Sequence, residues 1–195
     1  MPERLVYEHT VEGLFVRGLA RRISPAVKQQ LRQAGLDLDC KLLPAYSFDT
    51  WARCVAIAAD SLYPNELQSV AYQWLGARMV EGYRETFTGR LMFRVLQLLG
   101  PQRLVARTEQ NFRSGNNYTE VLHTDIAANV VELCVNEPGP TRYVVQGAML
   151  ETLRAARPGD MGVRVDLIDF TTESVTFRVS WTQGGVSPSA PEVRR

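Results

Sequence analysis

Few side chains in this 195-residue chain are of types that perform chemistry unaided. They are two histidines, His9 and His123, three cysteines, Cys40, Cys54 and Cys134, and a scatter of carboxylates. A metal centre or a redox pair needs ligands at close, recurring spacing, such as a CxxC pair. These five residues are dispersed, so no metal and no disulfide framework is expected, and an odd, scattered cysteine set fits a reducing compartment. His123 and Cys134 would make a base and a nucleophile if neighbouring strands brought them together. However, Cys134 stands within Val-Glu-Leu-Cys-Val with nothing nearby to lower its pKa, and an inert thiol is the simpler reading. Asp37 with Asp39 and Asp166 with Asp169 are pairs of the kind acid–base catalysis uses, yet both fall where turns are expected, and solvated turn chemistry accounts for them. No Gly-x-Ser-x-Gly elbow, phosphate loop, Gly-x-Gly-x-x-Gly turn or His-Glu-x-x-His pair occurs, so no enzyme activity is expected.

Charge narrows the partners. Twenty-two Lys and Arg oppose 21 Asp and Glu, a net charge of +1, and 45% of residues are apolar. Only Lys28 and Lys41 are lysines, a bias that fits a GC-rich coding background better than a phosphate-reading surface. Arg17, Arg21 and Arg22 form a basic group without interleaved aromatics, and only Phe112 accompanies Arg103, Arg107 and Arg113, so nucleic acid is not an expected partner. The first residues alternate charged and apolar types rather than forming a signal-peptide run, and no later stretch approaches the roughly 20 apolar residues of a membrane span. A cytoplasmic protein is the expectation.

The elements that would position these residues divide near Gly100-Pro101. Before it, Leu5–Tyr7 suggests a short strand and Val11 to Ala20 has helical spacing. Ser24-Pro25 opens a helix that Gly35 stops, and Phe48, Trp51, Cys54, Val55 and Ala58 form one stripe of a third helix. A long helix from Glu66 to about Phe87 carries Gly76 and Gly82, which lower helix propensity by about 1 kcal/mol each and so suggest close helix contact. A further helix runs from Gly89 to Leu99. After Arg107 the period falls to two: strands over 118–124 and 129–136, a helix from Thr141 to about Ala156, then a hairpin of 162–168 and 174–181. The fold class is α+β, an N-terminal helical half packed on a C-terminal antiparallel sheet in strand-strand-helix-strand-strand order. Residues 1–181 read as one domain, and 182–195, with Gly184-Gly185, prolines and serines, as a disordered tail.

Tyr63-Pro64, the Gly76 helix, the run from Gly82-Tyr83 to Thr86 and Gly89, Gly100-Pro101 and the closing Val179-Ser180-Trp181 together resemble a paralogous family of uncharacterised proteins largely restricted to myxobacteria. The likeness covers about residues 3 to 181. That family is similar in fold to a group containing heme-binding nitric oxide/oxygen sensor domains, V4R effector-sensing domains and the small subunits of the TRAPP tethering complex, and a shared scaffold does not fix function. The resemblance implies three possible inheritances. A heme sensor would need a histidine on the helix before the sheet and a Tyr-x-Ser-x-Arg motif, and this chain has neither. Zinc-binding V4R domains would need clustered cysteines, also missing, so no cofactor is expected. The third is an apolar acyl or aromatic pocket between helices and sheet, for which Trp51, Cys54, Trp74, Arg78, Tyr83, Phe87 and Met92 are the candidate lining. Those residues equally suit a filled core, and a dedicated pocket would combine apolar walls with a few polar groups in roughly 300 Å³ or more. Arg78 would otherwise reach the surface or pair with a carboxylate.

The leading expectation is therefore a non-enzymatic regulatory or sensory module acting through protein contacts, with a protein partner or a homodimer. The alternative is a sensor or carrier of a small apolar molecule.

Overall fold

The computed structural model describes residues 3–99, 101–156 and 162–182. Strand β1 (Leu5–Tyr7) pairs antiparallel with β2 (Ala45–Ser47), and α1 (Glu8–Val11) passes directly into a π-helical stretch, Glu12–Gly18. Ser24 caps α2 (Pro25–Gln33) by accepting from the Val27 amide, with Pro25 at the first helical position, where its missing N–H costs nothing. Gly35, at φ +104°, ends that helix, and the Leu36 amide reaches back to the Leu31 carbonyl. Ser47 likewise caps α3 (Phe48–Leu62). Helices α4 (Gln68–Glu85) and α5 (Phe87–Gln97) follow, the second capped by Thr86. Two short helices, α6 (Pro101–Ala106) and α7 (Thr108–Gly115), complete the helical half. Sequence periodicity does not mark either of these, nor the three-residue β2, because three to eight residues are too few to establish a stripe.

The second half is β3 (Val121–Ala127), β4 (Val130–Val135), α8 (Arg142–Ala156), β5 (Arg164–Phe170) and β6 (Val175–Ser180). The strands form one antiparallel sheet in the order β3-β4-β6-β5, with bulges between Asp125 and Ala127 and between Leu167 and Asp169. This is the expected α+β arrangement, with strand boundaries displaced by a few residues. Alternation places Val131, Leu133, Val135, Val175, Phe177 and Val179 on the covered face, all buried. On the opposite face Glu132 pairs with Arg178 at 2.7 Å across β4 and β6.

Helix α4 is the hub. It lies against the π-helical stretch on one side and α8 on the other, and both contacts are so close that glycine is required. A Cβ on Gly76 would fall on the Val144 carbonyl of α8, and one on Gly147 would fall on the Gln73 carbonyl of α4. On the other flank a Cβ on Gly82 would meet the Gly13 carbonyl. The contact inferred from the helix-weakening glycines is thus between backbones. A hydrogen-bonded relay, Gln73 Nε2 to Gln146 Oε1 at 2.9 Å and Gln146 Nε2 to the Val165 carbonyl at 2.7 Å, ties α4 to α8 and α8 to β5.

Two apolar clusters result. Leu14, Phe15, Leu19, Leu31, Trp51, Val55 and Leu75 fill the first, among the N-terminal helices. Phe93, Leu96, Leu104, Leu133, Met149, Val175 and Phe177 fill the second, between α5–α8 and the sheet. Met79 of α4 packs against both, and the space described next lies where they meet.

Candidate functional site

Packing is incomplete at the junction of the helices and the sheet. A cavity of about 180 Å³ opens between α4, α5–α8 and the sheet, with Met79, Val80, Phe93, Leu133, Met149 and Val179 among its apolar walls. Its polar side is built from segments that the sequence marked only as punctuation. Asn136 donates to the Tyr118 carbonyl at 2.9 Å and accepts from the Glu120 amide at 2.8 Å, pinning that extended segment to the end of β4. Asn116 accepts from the amides of Tyr118 and Thr119, and Asn117 clamps the same loop to the chain's first strand by accepting from the Leu5 amide at 2.7 Å. These asparagines hold Tyr118 against Glu137, which lies two residues past β4.

Glu137 is the unusual group of the site. It is 3% exposed and lines the cavity. Burial pushes its carboxyl up to about 7, against the opposing pull of the Thr141 and Tyr118 hydroxyls and the Arg4 and Arg142 guanidiniums. Tyr118 is held protonated by its own burial and then by the carboxylate beside it. Arg4 lies over the Tyr118 ring, 5.6 Å from its centre. Arg142, the first residue of α8, is itself buried: its Nε donates to the Gly139 carbonyl at 2.5 Å and its guanidinium stacks 4.3 Å from the centre of the Phe170 ring. Its Nη1 is the buried side-chain polar atom left without a hydrogen-bond partner among the described residues.

Of the residues nominated from sequence, Trp51, Tyr83 and Met92 line this cavity, and the Tyr83 hydroxyl donates to Met92 Sδ at 3.5 Å. The other four are placed elsewhere. Cys54 is sealed in the first cluster, Trp74 stands at the surface edge-on to Tyr63 with ring centres 5.0 Å apart, and Phe87 is 79% exposed at the start of α5. Arg78 pairs with Glu81 at 2.6 Å, the carboxylate partnership that competed with a pocket role. Sequence reasoning overlooked Glu137, Tyr118, Thr141 and His9, all of which line the cavity. For Glu137 a signal existed: the inward series Val131, Leu133, Val135 extends by two to residue 137, but Pro138-Gly139-Pro140 made the position look like loop.

The Cys134–His123 pairing weighed from sequence does not form. Leu122 stands opposite Cys134 and His123 opposite Leu133, so the thiol and the imidazole occupy opposite faces of the sheet. His123 instead approaches Asp125, at 3.2 Å. Asp37 and Asp39 both bind Arg32, at 2.9 and 2.8 Å. No group of three or more potential metal ligands occurs among the described residues, and no described helix is long and apolar enough to cross a membrane.

Burial pushes the Cys54 thiol up to about 11, whereas Cys40 is exposed and Cys134 intermediate. Iodoacetamide at pH 8 followed by mass spectrometry is expected to label Cys40 first and to leave Cys54 unmodified until denaturant is added.

In its arrangement of helices on one side of a four-stranded antiparallel sheet, the chain is similar in fold to H-NOX domains. The chain is similar to a doubly substituted Tt H-NOX, with a TM-score of 0.66 at 11% identity over 90% of this chain and 95% of that one. It is similar also to an Fe(II) unliganded H-NOX protein from K. algicida, with a TM-score of 0.62 at 12% identity over 90% and 95% of the two chains. An oxygen-binding H-NOX domain related to soluble guanylate cyclases gives 0.61 at 11% identity over 90% and 92%. No curated protein matches the chain. By sequence, residues 4–182 match the protein family of unknown function DUF2378, and the chain belongs to that family.

Heme does not fit the residues present. Helices α5, α6 and α7 carry no histidine, no Tyr-x-Ser-x-Arg sequence occurs, and the cavity is close to the 150 Å³ that accommodates a single benzene. His9 lines the cavity, but its ring is packed about 6 Å from the rings of Tyr7 and Tyr83. A tetrapyrrole has no room beside it.

Proposed function

We propose that this chain is a non-enzymatic sensory or regulatory module whose signal is occupation of the helix–sheet cavity by one small, largely apolar molecule. The observation that carries this reading is a cavity of about 180 Å³ with apolar walls and one buried carboxyl. A core under no functional demand closes such spaces, because unfilled volume costs about 24 cal/mol per Å³. The volume lies below the roughly 300 Å³ at which ligand pockets ordinarily begin, which restricts the ligand to about one ring or a short chain. Absence of every local catalytic motif supports the non-enzymatic part. The H-NOX likeness supports the scaffold and leaves the ligand to the site.

The cavity's walls come from α4, α8, β4 and β6, so its occupant would bear on both apolar clusters at once. Output through a protein contact has an observation of its own. Phe87, Leu91, Val95 and Leu98 form one exposed apolar stripe along α5, opposite its buried Phe93 and Leu96. Such a stripe suits a partner protein or a second copy of this chain.

Native mass spectrometry of gently purified protein tests the proposal. A co-purifying molecule of fewer than about ten heavy atoms is expected, in keeping with a space slightly larger than benzene needs. Val145→Phe, which projects a ring into the cavity, is expected to expel it while leaving the melting temperature within about 3 °C, a change of about 1 kcal/mol. An empty wild-type protein that also fails to respond to added one-ring compounds would overturn the reading.

A further inference from the structure

Helix α5 carries no carboxylate. Between Thr86 and Thr108 the chain holds Arg90, Arg94, Arg103 and Arg107 and neither Asp nor Glu, in a protein whose net charge is only +1. On the 3.6-residue helical repeat, Phe87, Leu91, Val95 and Leu98 fall in one file about 16 Å long, and Arg90 and Arg94 fall together along one edge of it. The four apolar side chains are between 48% and 85% exposed, and both arginines are exposed beside them. Arg17, Arg78 and Arg113 are each answered by a carboxylate of the same helix, Glu12, Glu81 and Glu109. Arg94 makes no ion pair or hydrogen bond among the described residues, and the Arg90 guanidinium donates only to the Glu85 carbonyl, at 2.7 Å. A concavity of about 550 Å³ lies along this edge, between α5 and the end of α4, and the charges in its wall are Arg84, Arg90 and Arg94 against Glu81 and Glu85. Arg84 meets Glu151 and Glu81 meets Arg78, which leaves Arg90 and Arg94 against Glu85 alone.

We infer that this face of α5 docks an amphipathic helix of a second protein, one with a file of apolar side chains and Asp or Glu along the edge that meets Arg90 and Arg94. This rests on the reading of the chain as a contact-making module and specifies the partner. Apolar side chains spaced four, four and three apart form a ridge that fits the groove of another helix. Opposite charge along one edge sets the direction of that helix and rejects helices without it. A second copy of this chain pairing through α5 brings more arginine and no carboxylate, whether the two helices run parallel or antiparallel. An anionic lipid surface supplies charge to both flanks alike, whereas the arginines stand on one flank. The face is also placed for output, since Met92 and Phe93, on the inner side of the same helix, line the cavity.

Fluorescence anisotropy of the purified full chain with two labelled alanine-based peptides of about 18 residues tests the inference. Both carry leucines in the four-four-three spacing, one with glutamates along one edge and the other with lysines at the same positions. The wild type is expected to bind the glutamate peptide at least about tenfold tighter, a margin that shrinks in about 0.5 M NaCl. Arg90→Glu with Arg94→Glu is expected to reverse the preference, and Leu91→Ser with Leu98→Ser to remove binding of both peptides. All four side chains are exposed, so both variants are expected to melt within about 3 °C of the wild type. Equal affinity for the two peptides overturns the acidic partner while leaving the contact-making reading standing. Self-association lost in the double serine variant assigns the face to a second copy, and flotation with phosphatidylserine vesicles lost in that variant assigns it to a lipid surface; either overturns the inference. Binding of neither peptide, with no self-association and no flotation, overturns the contact-making reading with it, and native mass spectrometry decides the cavity separately.

Discussion

Gly76→Val is expected to lose about 3 kcal/mol of folding stability or more, and Gly76→Ala somewhat less, because the new carbon has no space to occupy. Its nearest neighbours are the Val144 carbonyl and the Ala148 amide, two partners in one helical turn of α8, and neither is the movable end of a side chain. The helices must separate, and Gly147, which rests on the Gln73 carbonyl, would be pulled out of register with them. Alanine has a helix propensity advantage of about 1 kcal/mol over glycine, which offsets only part of this. For a domain of this size the loss corresponds to a melting temperature lower by roughly 6–12 °C, measurable by calorimetry. A variant that melts at or above the wild-type temperature would refute the close packing of α4 on α8. Because the cavity walls include residues of both helices, the variant is also expected to weaken binding of the occupant proposed above.

The second large effect is a pH dependence carried by Glu137. Its carboxyl is raised from an ordinary 4.5 to about 7 by burial, so the native state holds its proton more tightly than the unfolded chain does. The stabilising contribution is therefore complete below about pH 4.5. Between 4.5 and 7 the unfolded chain gives up the proton while the native state keeps it, and stability falls by about 1.4 kcal/mol per pH unit. Above 7 the native carboxyl ionises as well, and the accumulated loss levels at about 3 kcal/mol. Glu137→Gln removes the titration. In urea melts between pH 4 and 9, the wild-type protein is expected to lose about 3 kcal/mol relative to Glu137→Gln across the interval from pH 4.5 to 7.5. Parallel curves for the two proteins would show that the carboxyl is not buried as described.

Much of the fold was legible because its signals are local. Ser24 and Ser47 each cap a helix with a side chain that reaches only three residues along the chain, whereas Thr86, the cap of α5, was read as part of the preceding helix; the alternation of Val175, Phe177 and Val179 follows from the geometry of a single strand. The two short helices α6 and α7 were missed because they carry less than a full stripe. Nor does local pattern reveal that Glu12–Gly18 winds as a π-helix, with the Leu19 amide bonded to the Leu14 carbonyl, since its residues are those of any amphipathic turn.

The nominated pocket residues show the limit most directly. Trp51 and Tyr83 line the cavity and Trp74 and Phe87 are exposed, though all four are aromatic residues within or beside predicted helices. Which face of a helix meets the cavity depends on neighbours distant in sequence, and no amphipathic count can supply that. The polar side depends still more on distant contacts: Tyr118 is positioned by Asn116 and Asn136, and the loop that holds it is clamped to a strand more than 100 residues earlier.

The sequence by itself determined the class of the protein: an α+β chain with a helical first half and an antiparallel second half, without the spaced ligands of a metal site or the motifs of common enzymes, and with glycines placed for close helix contact. Each of these is written in spacing along the chain. Only the tertiary structure decided that the helix–sheet junction holds a cavity of about 180 Å³ and that Glu137 is buried against it. A cavity is a deficit of atoms contributed by six or more separate elements, and a carboxyl's burial is a property of what surrounds it. Neither is carried by any one segment.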